Sequence, residues 1–342
     1  MVEFNNRYIS IQKEGAYGDT SAGGSGTEVY GEVDDESIMH TYDLLTRTDM
    51  SRSIASKSVT STERSEGGFN LAVQLDHFVA NVFRAFFKDA ESSQVHTFTE
   101  PSGTDTLPSF TIQVGRESSE HEYTGMVGNS FTISANVGEY VMLSAEFVGK
   151  AQTHAAGGTA LAAASFAGDA LDALYFSNGT VIFNDGSGNS TASASVKSVS
   201  LTVNMNRDVD NAYALGNSTY VRSPPSQKRE ITGTLELNQV IFGQNPANDD
   251  PSYDNLIKAD GDLWNPGSAA PAIKLTFNEE TGSDFLEISL YKVRFEAPSA
   301  NVSGRDTNTM SVNFVALHDA GDAAKAMQVK MSGSSLLNGS TY

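Results

Sequence analysis

The stretch 108–150 constrains the fold most, because apolar and polar residues alternate along it in successive short runs. Three clear runs and one weaker run lie at 110–114, 131–135, 141–147 and 122–127. A period of two sends successive side chains to opposite faces of a sheet. Each run is therefore predicted to be a β-strand that is buried on one face.

Glycine and asparagine lie between these runs, at Gly115, at Gly128–Asn129 and at 136–138. These residue types favour the tight turns of an antiparallel meander. We therefore expect the chain to reverse direction at each of the three positions, so that 108–150 forms one continuous antiparallel sheet.

A helix is predicted at 76–88, directly after the alternating segment 69–75. Its apolar residues recur at the spacing of one helix face, at Leu75, Phe78, Val79, Val82, Phe83 and Phe86. Asp76 is placed to cap the start, and Lys88 suits the negative C-terminal end. We expect this helix to cover one face of the sheet, with Phe78, Val82, Phe83 and Phe86 in the core.

The second half of the chain repeats the order of elements predicted for the first. In each half a strand leads to a long polar segment with basic residues, then to an alternating strand, a helix and a meander. The matched segments are 67–75 with 231–237, 108–114 with 271–277, 129–135 with 291–297, and 139–150 with 308–319. The second helix would lie near 252–263. Because identity is low, chance likeness of two β-rich halves stays open.

The repeat and the length of 342 residues predict two domains. The first domain is predicted to span 1–155. Residues 156–189 would form a linker and the start of the second domain, since 155–170 is rich in alanine and glycine. The second domain would span 190–342 as an internal duplication of the first.

Two polar segments, 50–68 and 208–229, contain too few apolar residues to hold a core of their own. We expect the first to form a long exposed hairpin or arm, and both to order on an adjacent subunit. The upstream segment 37–47 is amphipathic but short, so it predicts either a strand or a helix. The candidate inter-subunit residues are the basic ones in these arms: Arg52, Lys57, Arg64, Arg222, Lys228 and Arg229.

The formal net charge of −20 argues against a protein that wraps nucleic acid, because such proteins neutralise phosphates with clustered lysine and arginine. An acidic, soluble surface accounts for this charge, and a saline habitat is a further explanation. The chain has no cysteine, which excludes disulfides, thiolate metal sites and a cysteine nucleophile. No apolar run approaches the roughly 20 residues of a membrane helix, so no membrane partner is expected.

No catalytic, cofactor-binding or metal-binding residues are predicted. The histidines are scattered, and none has the spacing of a known metal motif. The triplet 120–122 (Glu-His-Glu) is interpreted as a solvated turn between strands, with a metal site as the alternative. The acidic pairs 249–250 and 279–280 are interpreted as exposed turns, with calcium binding or a glycosidase role as alternatives. The segment 184–186 resembles part of a calcium loop but lacks its later glutamate.

Four segments resemble the tail tube proteins, also called major tail proteins, of long-tailed viruses of bacteria or archaea. They are RYISIQKEGAYGDTS at 7–21, ERSEGGFNLAVQL at 63–75, and the longer stretches 110–150 and 196–237. The resemblance covers roughly 7–150 and 190–319. The chain departs from the simplest members of that family in its doubled length.

The resemblance implies a mainly β fold with small α content, built from two tandem tail-tube-type β-sandwich or partial-barrel domains. Each domain would carry a flanking helix and a long arm loop. Single-domain members form hexameric rings that stack into a tube. A chain with two such domains would therefore form homotrimeric rings with pseudo-sixfold symmetry, and a homohexamer is the alternative.

The implied function is that of a non-enzymatic virion protein whose stacked rings form the hollow tail tube for DNA ejection into the host. Doubled length favours the non-contractile tail of a siphovirus, since the tube proteins of sheath-bearing tails are usually shorter. The implied partners are other copies of the chain, the tape measure protein and DNA in the lumen, and the tail terminator and distal tail proteins. No cofactor is implied, and assembly would take place in the host cytoplasm before the protein joins the viral tail.

The acidic excess would place charge of the same sign as DNA along the channel, so that the duplex slides without sticking. The alternative function is that of a β-rich surface adhesion or carbohydrate-binding protein. That function predicts clustered exposed aromatic residues, and the single tryptophan, Trp264, argues against it. A hydrolase is disfavoured because no catalytic constellation is present.

Overall fold

The structure is a computed structural model that describes residues 7–19, 27–92, 95–102, 105–117, 119–153, 164, 166, 172–184, 186, 191–192, 196–238, 256, 263–267, 270–280, 282–300, 309–321 and 325–333. Over these residues the fold is mainly β, as predicted, with one α-helix described along its length, a helical residue at Leu256, and short 3-10 turns at Phe176–Asn178 and Asp210–Ala212. The helix is α1 (His77–Arg84).

The strands of the first half are β1 (Tyr8–Lys13), β2 (Val29–Gly31), β3 (Asp35–Glu36), β4 (Met39–Arg47), β5 (Lys57–Ala72), β6 (Lys88–Ser92), β7 (Val95–Thr99), β8 (Phe110–Arg116), β9 (Ser119–Asn136), β10 (Met142–Gly149) and β11 (Ala151–Thr153). Those of the second half are β12 (Gly179–Phe183), β13 (Thr191–Ala192), β14 (Val196–Asn204), β15 (Glu230–Asn238), β16 (Leu263–Trp264), β17 (Ile273–Asn278), β18 (Phe285–Leu290), β19 (Val293–Phe295), β20 (Ser299–Ala300), β21 (Thr309–Ala316) and β22 (Met327–Ser332).

The strands form two sheets, and every pair of these named strands is antiparallel. The main path of the larger, fifteen-stranded sheet runs β16-β19-β21-β15-β14-β9-β10-β5-β3. The smaller, seven-stranded sheet runs β13-β12-β17-β18-β22-β7-β6. One apolar core extends through both halves of the chain, with buried residues from Ile9 to Met331.

The predicted turn at Gly128–Asn129 is wrong, because β9 continues through it as an 18-residue strand. A Cβ at Gly128 would lie 2.6 Å from the ring of Phe86, so this glycine allows a close approach of the helix side chain to the strand. The pairing of β9 with β10 shifts register between Glu146 and Phe147. The N-terminal part of β9 pairs with β8, and the C-terminal part pairs with β10 and β14.

The turn predicted at Gly115 is also wrong, because Gly115 belongs to β8 and lies opposite Tyr8 and Glu120. The turn predicted at 136–138 is confirmed. After β8 the chain reverses next to Arg116, where Glu117 adopts a positive φ of 55°. After β9 it turns at 136–138, where Gly138 has a φ of 89° and Glu139 donates its backbone N–H to the carbonyl of Asn136. Left-handed backbone of this kind favours glycine and asparagine.

The larger sheet contains two runs of strands in matching order, β9-β10-β5-β3 and β19-β21-β15-β14. Three of the four segment pairs matched by sequence occupy matching places in this sheet, since β15 corresponds to β5, β21 to β10, and β19 to the C-terminal part of β9. The fourth pair, 108–114 with 271–277, lies in β8 of the larger sheet and β17 of the smaller one. The two runs join head to tail where β14 pairs with β9. The internal duplication and the domain bounds 1–155, 156–189 and 190–342 stay a prediction.

The helix α1 begins at the predicted cap, where a carboxylate oxygen of Asp76 accepts the backbone N–H of Val79 at 2.8 Å. It ends earlier than predicted, with Ala85 as its C-cap. Lys88 starts β6 instead, because the backbone from that residue onward pairs with β7. The side chain of Lys88 binds Asp105 at 2.9 Å rather than the helix end.

The four residues expected in the core of the helix, Phe78, Val82, Phe83 and Phe86, are all buried. The rings of Phe83 and Phe86 pack edge-on against Phe131 of β9, with centroids 5.9 and 4.9 Å away. Edge-to-face packing of this kind stabilises aromatic cores beyond the area that it buries. The helix therefore lies against the apolar face of the larger sheet.

The helix predicted near 252–263 lies almost wholly outside the described residues. Within that range, Leu256 is helical and buried. Leu263 belongs to the short strand β16, which pairs with β19.

Candidate assembly surfaces

The strands β4 and β5 form an exposed hairpin, which we call the arm hairpin and which spans residues 39–66. Its pairing runs from Met39 opposite Glu66 to Arg47 opposite Lys57, and residues 48–56 connect the strands. The interpretation of 50–68 as part of an exposed hairpin is confirmed. Segment 37–47, for which a strand and a helix stayed open, supplies its first strand.

The arm hairpin carries large apolar side chains that are more than half exposed: Met39, Tyr42, Leu44, Leu45, Met50, Ile54 and Val59. Scattered single apolar residues are normal on a protein surface, but a contiguous exposed set marks an interaction site or an aggregation hazard. Sequence reasoning missed most of this set, because it assigned the arm to 50–68 and left the apolar residues of β4 outside it.

The basic residues of the arm hairpin differ in their surroundings. Arg52 and Lys57 are exposed, and within the described part of the chain neither side chain has a hydrogen bond or an ion pair. Arg64 instead donates to Glu66 at 2.9 Å, and a second nitrogen lies 3.7 Å from Asp43. The two residues near the tip therefore present uncompensated positive charge, whereas Arg64 is paired within the hairpin.

The second polar segment, 208–229, folds back on the molecule instead of extending from it. Arg207, at its start, donates from Nε to the carbonyl of Gly128 and from Nη1 to that of Pro224, both at 3.0 Å. The carbonyl of Ser218 accepts the backbone N–H of Glu63 at 2.7 Å. The segment 208–229 therefore packs against the base of the arm hairpin, and we call this contact the clamp.

The side chains buried between the segment 208–229 and the base of the arm hairpin are aromatic and basic. Tyr220 is fully buried, and its ring lies edge-on to Tyr213 with centroids 4.8 Å apart. Burial lowers the pKa of Arg207 to about 10, and the nearby charge of Arg229 acts in the same direction. Buried polar groups of this kind hold a loop in one conformation because separating them leaves desolvated partners behind.

The three basic residues proposed for a second arm all have partners within the chain. Arg222 donates to the carbonyl of Asn211 at 2.7 Å, inside the same segment. Arg229 donates from two nitrogens to the carbonyl of Pro101, both at 3.2 Å. Lys228 lies 3.4 Å from Glu230. Their contact with another subunit stays a prediction.

A broad polar face covers the larger sheet opposite its core. Its side chains align in cross-strand rows on β10, β9, β14, β15 and β21. One row contains Ser144, Thr132, Thr202, Thr232 and Val315, and the next contains Met142, Ser134, Ser200, Thr234 and Asn313. The intervening residues of the same strands point into the core, as alternation requires.

Hydroxyl and amide groups link the strands on this polar face. The hydroxyls of Thr132 and Thr202 lie 2.9 Å apart across the junction of β9 with β14. Thr234 donates to the side chain of Asn313 at 3.0 Å, and Asn313 donates to Glu296 at 3.0 Å. Such cross-strand pairs stabilise a sheet.

Charge on the polar face lies toward its ends. Glu146 and Glu230 belong to one flanking row, opposite Ser130 and Asn204. Glu236 belongs to the flanking row on the other side and binds Lys197 at 3.2 Å. Arg294 lies opposite Val315 at the β19 edge. From β10 to β21 the central rows are therefore uncharged and rich in hydroxyl groups, and the first of them reaches a charged residue at Arg294 on β19.

The triplet 120–122 lies within β9 rather than in a turn, so that interpretation is wrong. Because side chains alternate along a strand, Glu120 and Glu122 share one face and His121 takes the other. The side chain of His121 bonds to Gln152 at 2.7 Å, and Glu120 accepts from the hydroxyl of Tyr8. Over the described residues, no three histidines or carboxylates are grouped to hold a metal ion.

Of the remaining acidic motifs, the parts that the structure describes lie in loops. Residues 249–250 and Asp185 lie outside the described residues. Gly186 donates its backbone N–H to the side chain of Asn184 at 3.0 Å, a local turn contact. Glu279, at the end of β17, donates its backbone N–H to the carbonyl of Asp284.

A buried histidine–carboxylate pair occurs at the end of the helix. The Nδ1 atom of His96 lies 2.9 Å from Asp89, which also accepts from Arg84 Nε at 2.8 Å. Burial would raise the pKa of Asp89, but the hydrogen bonds from His96 and Arg84 and the charge of Arg84 outweigh it, so that this pKa lies below its ordinary value. The cluster joins α1 to β6 and β7, which makes it a structural element.

Glu14 is a buried anchor that sequence reasoning missed. Its carboxylate accepts the backbone N–H groups of Gly18 and Gly125, both at 2.7 Å, and the hydroxyls of Ser109 and Thr111 at 2.6 and 3.0 Å. A carboxylate with so many donors costs little to bury. Only the position of Glu14 beside a glycine-rich segment hinted at such a role.

Trp264 is buried between Phe183 and Phe295, with ring centroids 6.0 and 4.9 Å away. Its ring is therefore not placed to stack on a sugar, which was the contact expected of a carbohydrate-binding surface. Exposed aromatic side chains among the described residues include Tyr42, Tyr140 and Phe176. Tyr42 belongs to the arm hairpin, whereas Tyr140 and Phe176 lie near the turn after β9 and the start of β12.

A mainly β chain with an exposed apolar hairpin and a broad polar sheet face has the features of a structural assembly protein. The sequence model of a family described as phage tail tube protein matches residues 5–316. The chain belongs to this family, and its resemblance to tail tube proteins is thereby confirmed. A search of curated proteins gave no match.

Membership of this family places the protein in the viral tail as a structural component. Among the described helices, none has the length and apolar character needed to cross a membrane.

Proposed function

We propose that this chain assembles with other copies of itself into rings, and that the rings stack into the hollow tail tube through which viral DNA enters the host. The observation that carries the proposal is the sheet order. Two matched runs of strands already meet head to tail within one chain, at the contact of β9 with β14. A head-to-tail contact that is repeated between subunits gives a ring when the rotation closes.

The same order supports a trimer. Each chain contributes two matched runs, so three copies would supply six and give a ring with pseudo-sixfold symmetry. The ends of the path, at β3 and β16, are short strands of two residues each. Such short strands offer little unpaired backbone, so a contact between copies at these ends would rest on side chains as well as on the sheet. A homohexamer, with twelve runs in a wider ring, is the alternative.

The polar face of the larger sheet would line the channel. Its central rows carry hydroxyl groups, and carboxylates such as Glu146 and Glu230 lie in a flanking row. DNA binds proteins mainly through contacts of lysine and arginine with its phosphates. A channel surface of hydroxyls and carboxylates would hold water and would not bind the duplex.

The arm hairpin would connect neighbouring copies. Its exposed apolar side chains are the kind that assembly buries, and the positive charges of Arg52 and Lys57 would approach the acidic surface of another copy. Arg64, Arg222, Lys228 and Arg229 would lie near this contact while keeping their partners within the chain. The role is structural, with no enzymatic step and no cofactor.

In the virion, the tape measure protein and then DNA would occupy the lumen, and the tail terminator and distal tail proteins would cap the two ends. Assembly would take place in the host cytoplasm. Because the chain is long for a tube protein, a non-contractile tail of the siphovirus type is the expected context.

Electron microscopy tests the proposal directly. Purified protein should form rings or hollow tubes in negative stain, and a helical cryo-EM reconstruction should show threefold rings with pseudo-sixfold symmetry. True sixfold symmetry would replace the trimer with the hexamer. A reconstruction with Thr132 and Thr202 on the outer surface would refute the channel assignment alone. Persistent monomers that bind glycans would overturn the assembly function and favour a surface adhesion protein.

A further inference from the structure

Three side chains near the clamp end in buried polar atoms that have no hydrogen-bond partner among the described residues. These atoms are the hydroxyl oxygens of Tyr17 and Tyr220 and the Nη2 atom of Arg207. Most buried polar atoms in folded proteins have at least one partner, so an atom without one calls for an explanation. Three such atoms in one region of the molecule call for a common explanation.

The three side chains converge beside β9. The Nε atom of Arg207 donates to the carbonyl of Gly128. The ring of Tyr17 lies over Gly125, where an added Cβ would be 3.1 Å from Cζ, the ring atom that carries the hydroxyl. Burial raises the pKa of Tyr17, and the nearby Tyr220 raises it further while Arg207 opposes the shift. Electrostatic effects of this kind weaken with distance, so they indicate that the three groups lie close together.

All three groups can donate a hydrogen bond at the same time. A guanidinium has donors and no acceptor, and with a pKa of about 10 that of Arg207 stays charged at neutral pH. Burial raises the pKa of both Tyr17 and Tyr220, so both phenols keep their protons at neutral pH. The ring of Tyr220 is held by the edge-on contact with Tyr213. The arrangement therefore suits a ligand that accepts hydrogen bonds.

The positive charge at this place is not neutralised by an ion pair within the described residues. Arg207 donates only to the carbonyls of Gly128 and Pro224. Arg229, whose charge adds to the effect of burial on the pKa of Arg207, donates to the carbonyl of Pro101. Burying a charged group is costly unless a group of opposite charge accompanies it. The ligand that suits these donors is therefore also negatively charged.

Two carboxylates act on this region, but both have other donors. Glu14 contributes to the raised pKa of Tyr17, yet it already accepts two backbone N–H groups and two hydroxyls. Glu100 opposes the lowering of the pKa of Arg229 by burial, yet it accepts two backbone N–H groups at the start of β22. Neither carboxylate accepts a hydrogen bond from Arg207, so neither explains the Nη2 atom.

We propose that Tyr17, Tyr220 and Arg207 bind one small monovalent anion of the size of chloride. A single negative atom accepts donors from several directions and supplies the counter-charge for the guanidinium. A water molecule would leave that charge uncompensated, and an oxyanion with several oxygens would need more donors than these three. The anion joins the turn at 16–19, the segment 208–229 and, through Arg207, the strand β9. This inference does not depend on the assembly function proposed above.

Thermal unfolding tests the inference when sodium chloride replaces sodium gluconate at constant ionic strength. The melting temperature of the wild-type protein should rise with chloride and level off, because a ligand of the native state stabilises it. Tyr17→Phe and Tyr220→Phe should each raise the chloride concentration at half effect about tenfold, since each removes a hydrogen bond to a charged group. Arg207→Gln should abolish the chloride effect. Tyr291→Phe is the matched control, because it removes a buried hydroxyl that donates to Gln328, and it should leave the half-effect concentration unchanged.

An equal chloride effect in the wild-type protein and in Arg207→Gln would overturn the inference. Bromide gives a second test that needs no variant. Crystals of the wild-type protein soaked in sodium bromide should show an anomalous peak at the bromine absorption edge, at hydrogen-bond distance from Arg207 Nη2 and from the hydroxyls of Tyr17 and Tyr220. A water molecule at that position, without an anomalous signal, would also overturn the inference.

Discussion

The hydroxyls of Thr132 and Thr202 lie 2.9 Å apart on the polar face, where β9 of the first half pairs with β14 of the second. The residues beside them in the same strands, such as Ile133 and Leu201, point into the shared core. One strand pair therefore joins the two halves on both of its faces. The junction combines an apolar core with a hydrated surface.

This threonine pair should contribute a measurable coupling between the halves. Thr132→Val or Thr202→Val alone should destabilise the protein by about 0.5–1.5 kcal/mol, because the remaining hydroxyl loses its partner. The double variant should cost less than the sum, since valine suits strands and no unpaired hydroxyl remains. Urea unfolding of the four proteins gives the coupling energy. Alanine variants of the directly opposite pair Ser134 and Ser200 are the control and should be additive.

Gly128 should not tolerate a side chain. An added Cβ would lie 2.6 Å from the buried ring of Phe86, so Gly128→Ala should destabilise the protein by about 1–3 kcal/mol. Thermal unfolding would measure the loss, and Ser130→Ala, on the polar face of the same strand, should have little effect. If Phe86→Leu in the same chain recovers none of the loss, the clash is not its cause.

Asp76 should make stability depend on pH. Burial raises the pKa of this helix cap to about 7, although the hydrogen bond from Val79 opposes the shift. Because the folded protein then binds this proton more tightly than the unfolded chain, the contribution is most favourable below the unfolded pKa. It should decline by up to about 4 kcal/mol as the pH rises from about 4 to about 7.

The variant Asp76→Asn separates the effect of helix capping from the effect of ionising the carboxyl group. Asparagine caps a helix about as well as aspartate and cannot ionise, so this variant should melt at a higher temperature than wild type at pH 8. The difference should shrink at pH 5, where the wild-type carboxyl is protonated. Asp76→Ala, which lacks the cap, should be less stable than Asp76→Asn by about 1 kcal/mol at both pH values. An unchanged difference between pH 5 and 8 would refute the raised pKa.

Arg207 should hold the segment 208–229 against the base of the arm hairpin. Arg207→Gln would release the carbonyls of Gly128 and Pro224, and hydrogen bonds from charged groups to such acceptors contribute about 1.5–3 kcal/mol. Hydrogen exchange should therefore accelerate in 208–229 and around Glu63, and the change in exchange rate should be smaller elsewhere. Arg222→Gln, which removes a contact made only within the segment, should change exchange locally. Equal protection in wild type and Arg207→Gln would contradict the clamp.

Much of the fold could be predicted from local patterns. Alternation located β8, the C-terminal part of β9, β10, β15 and β21, and the apolar spacing with Asp76 located α1. These signals are strong because one buried face imposes a period on the residues that form it. The matching order of segments also anticipated the matching places of β5 with β15 and of β10 with β21.

Other features had no local signal. Glycine favours both turns and close contacts, so only the ring of Phe86 distinguishes Gly128 in the middle of β9 from a turn residue. The extent of the arm hairpin depends on which strand pairs with β5, and the role of Glu14 depends on donors more than 90 residues away along the chain. Pairing partners of this kind are long-range contacts that composition and period do not encode.

The sequence by itself determined which residues face a core, where the helix begins, the repeated order of elements, and the family likeness. It did so because burial and capping act on neighbours along the chain. Only the tertiary structure decided that β9 spans both parts of the larger sheet, that β14 joins it, and that 208–229 folds back on the arm. Those outcomes depend on which distant surfaces bury one another best, and that is a property of the packed chain as a whole.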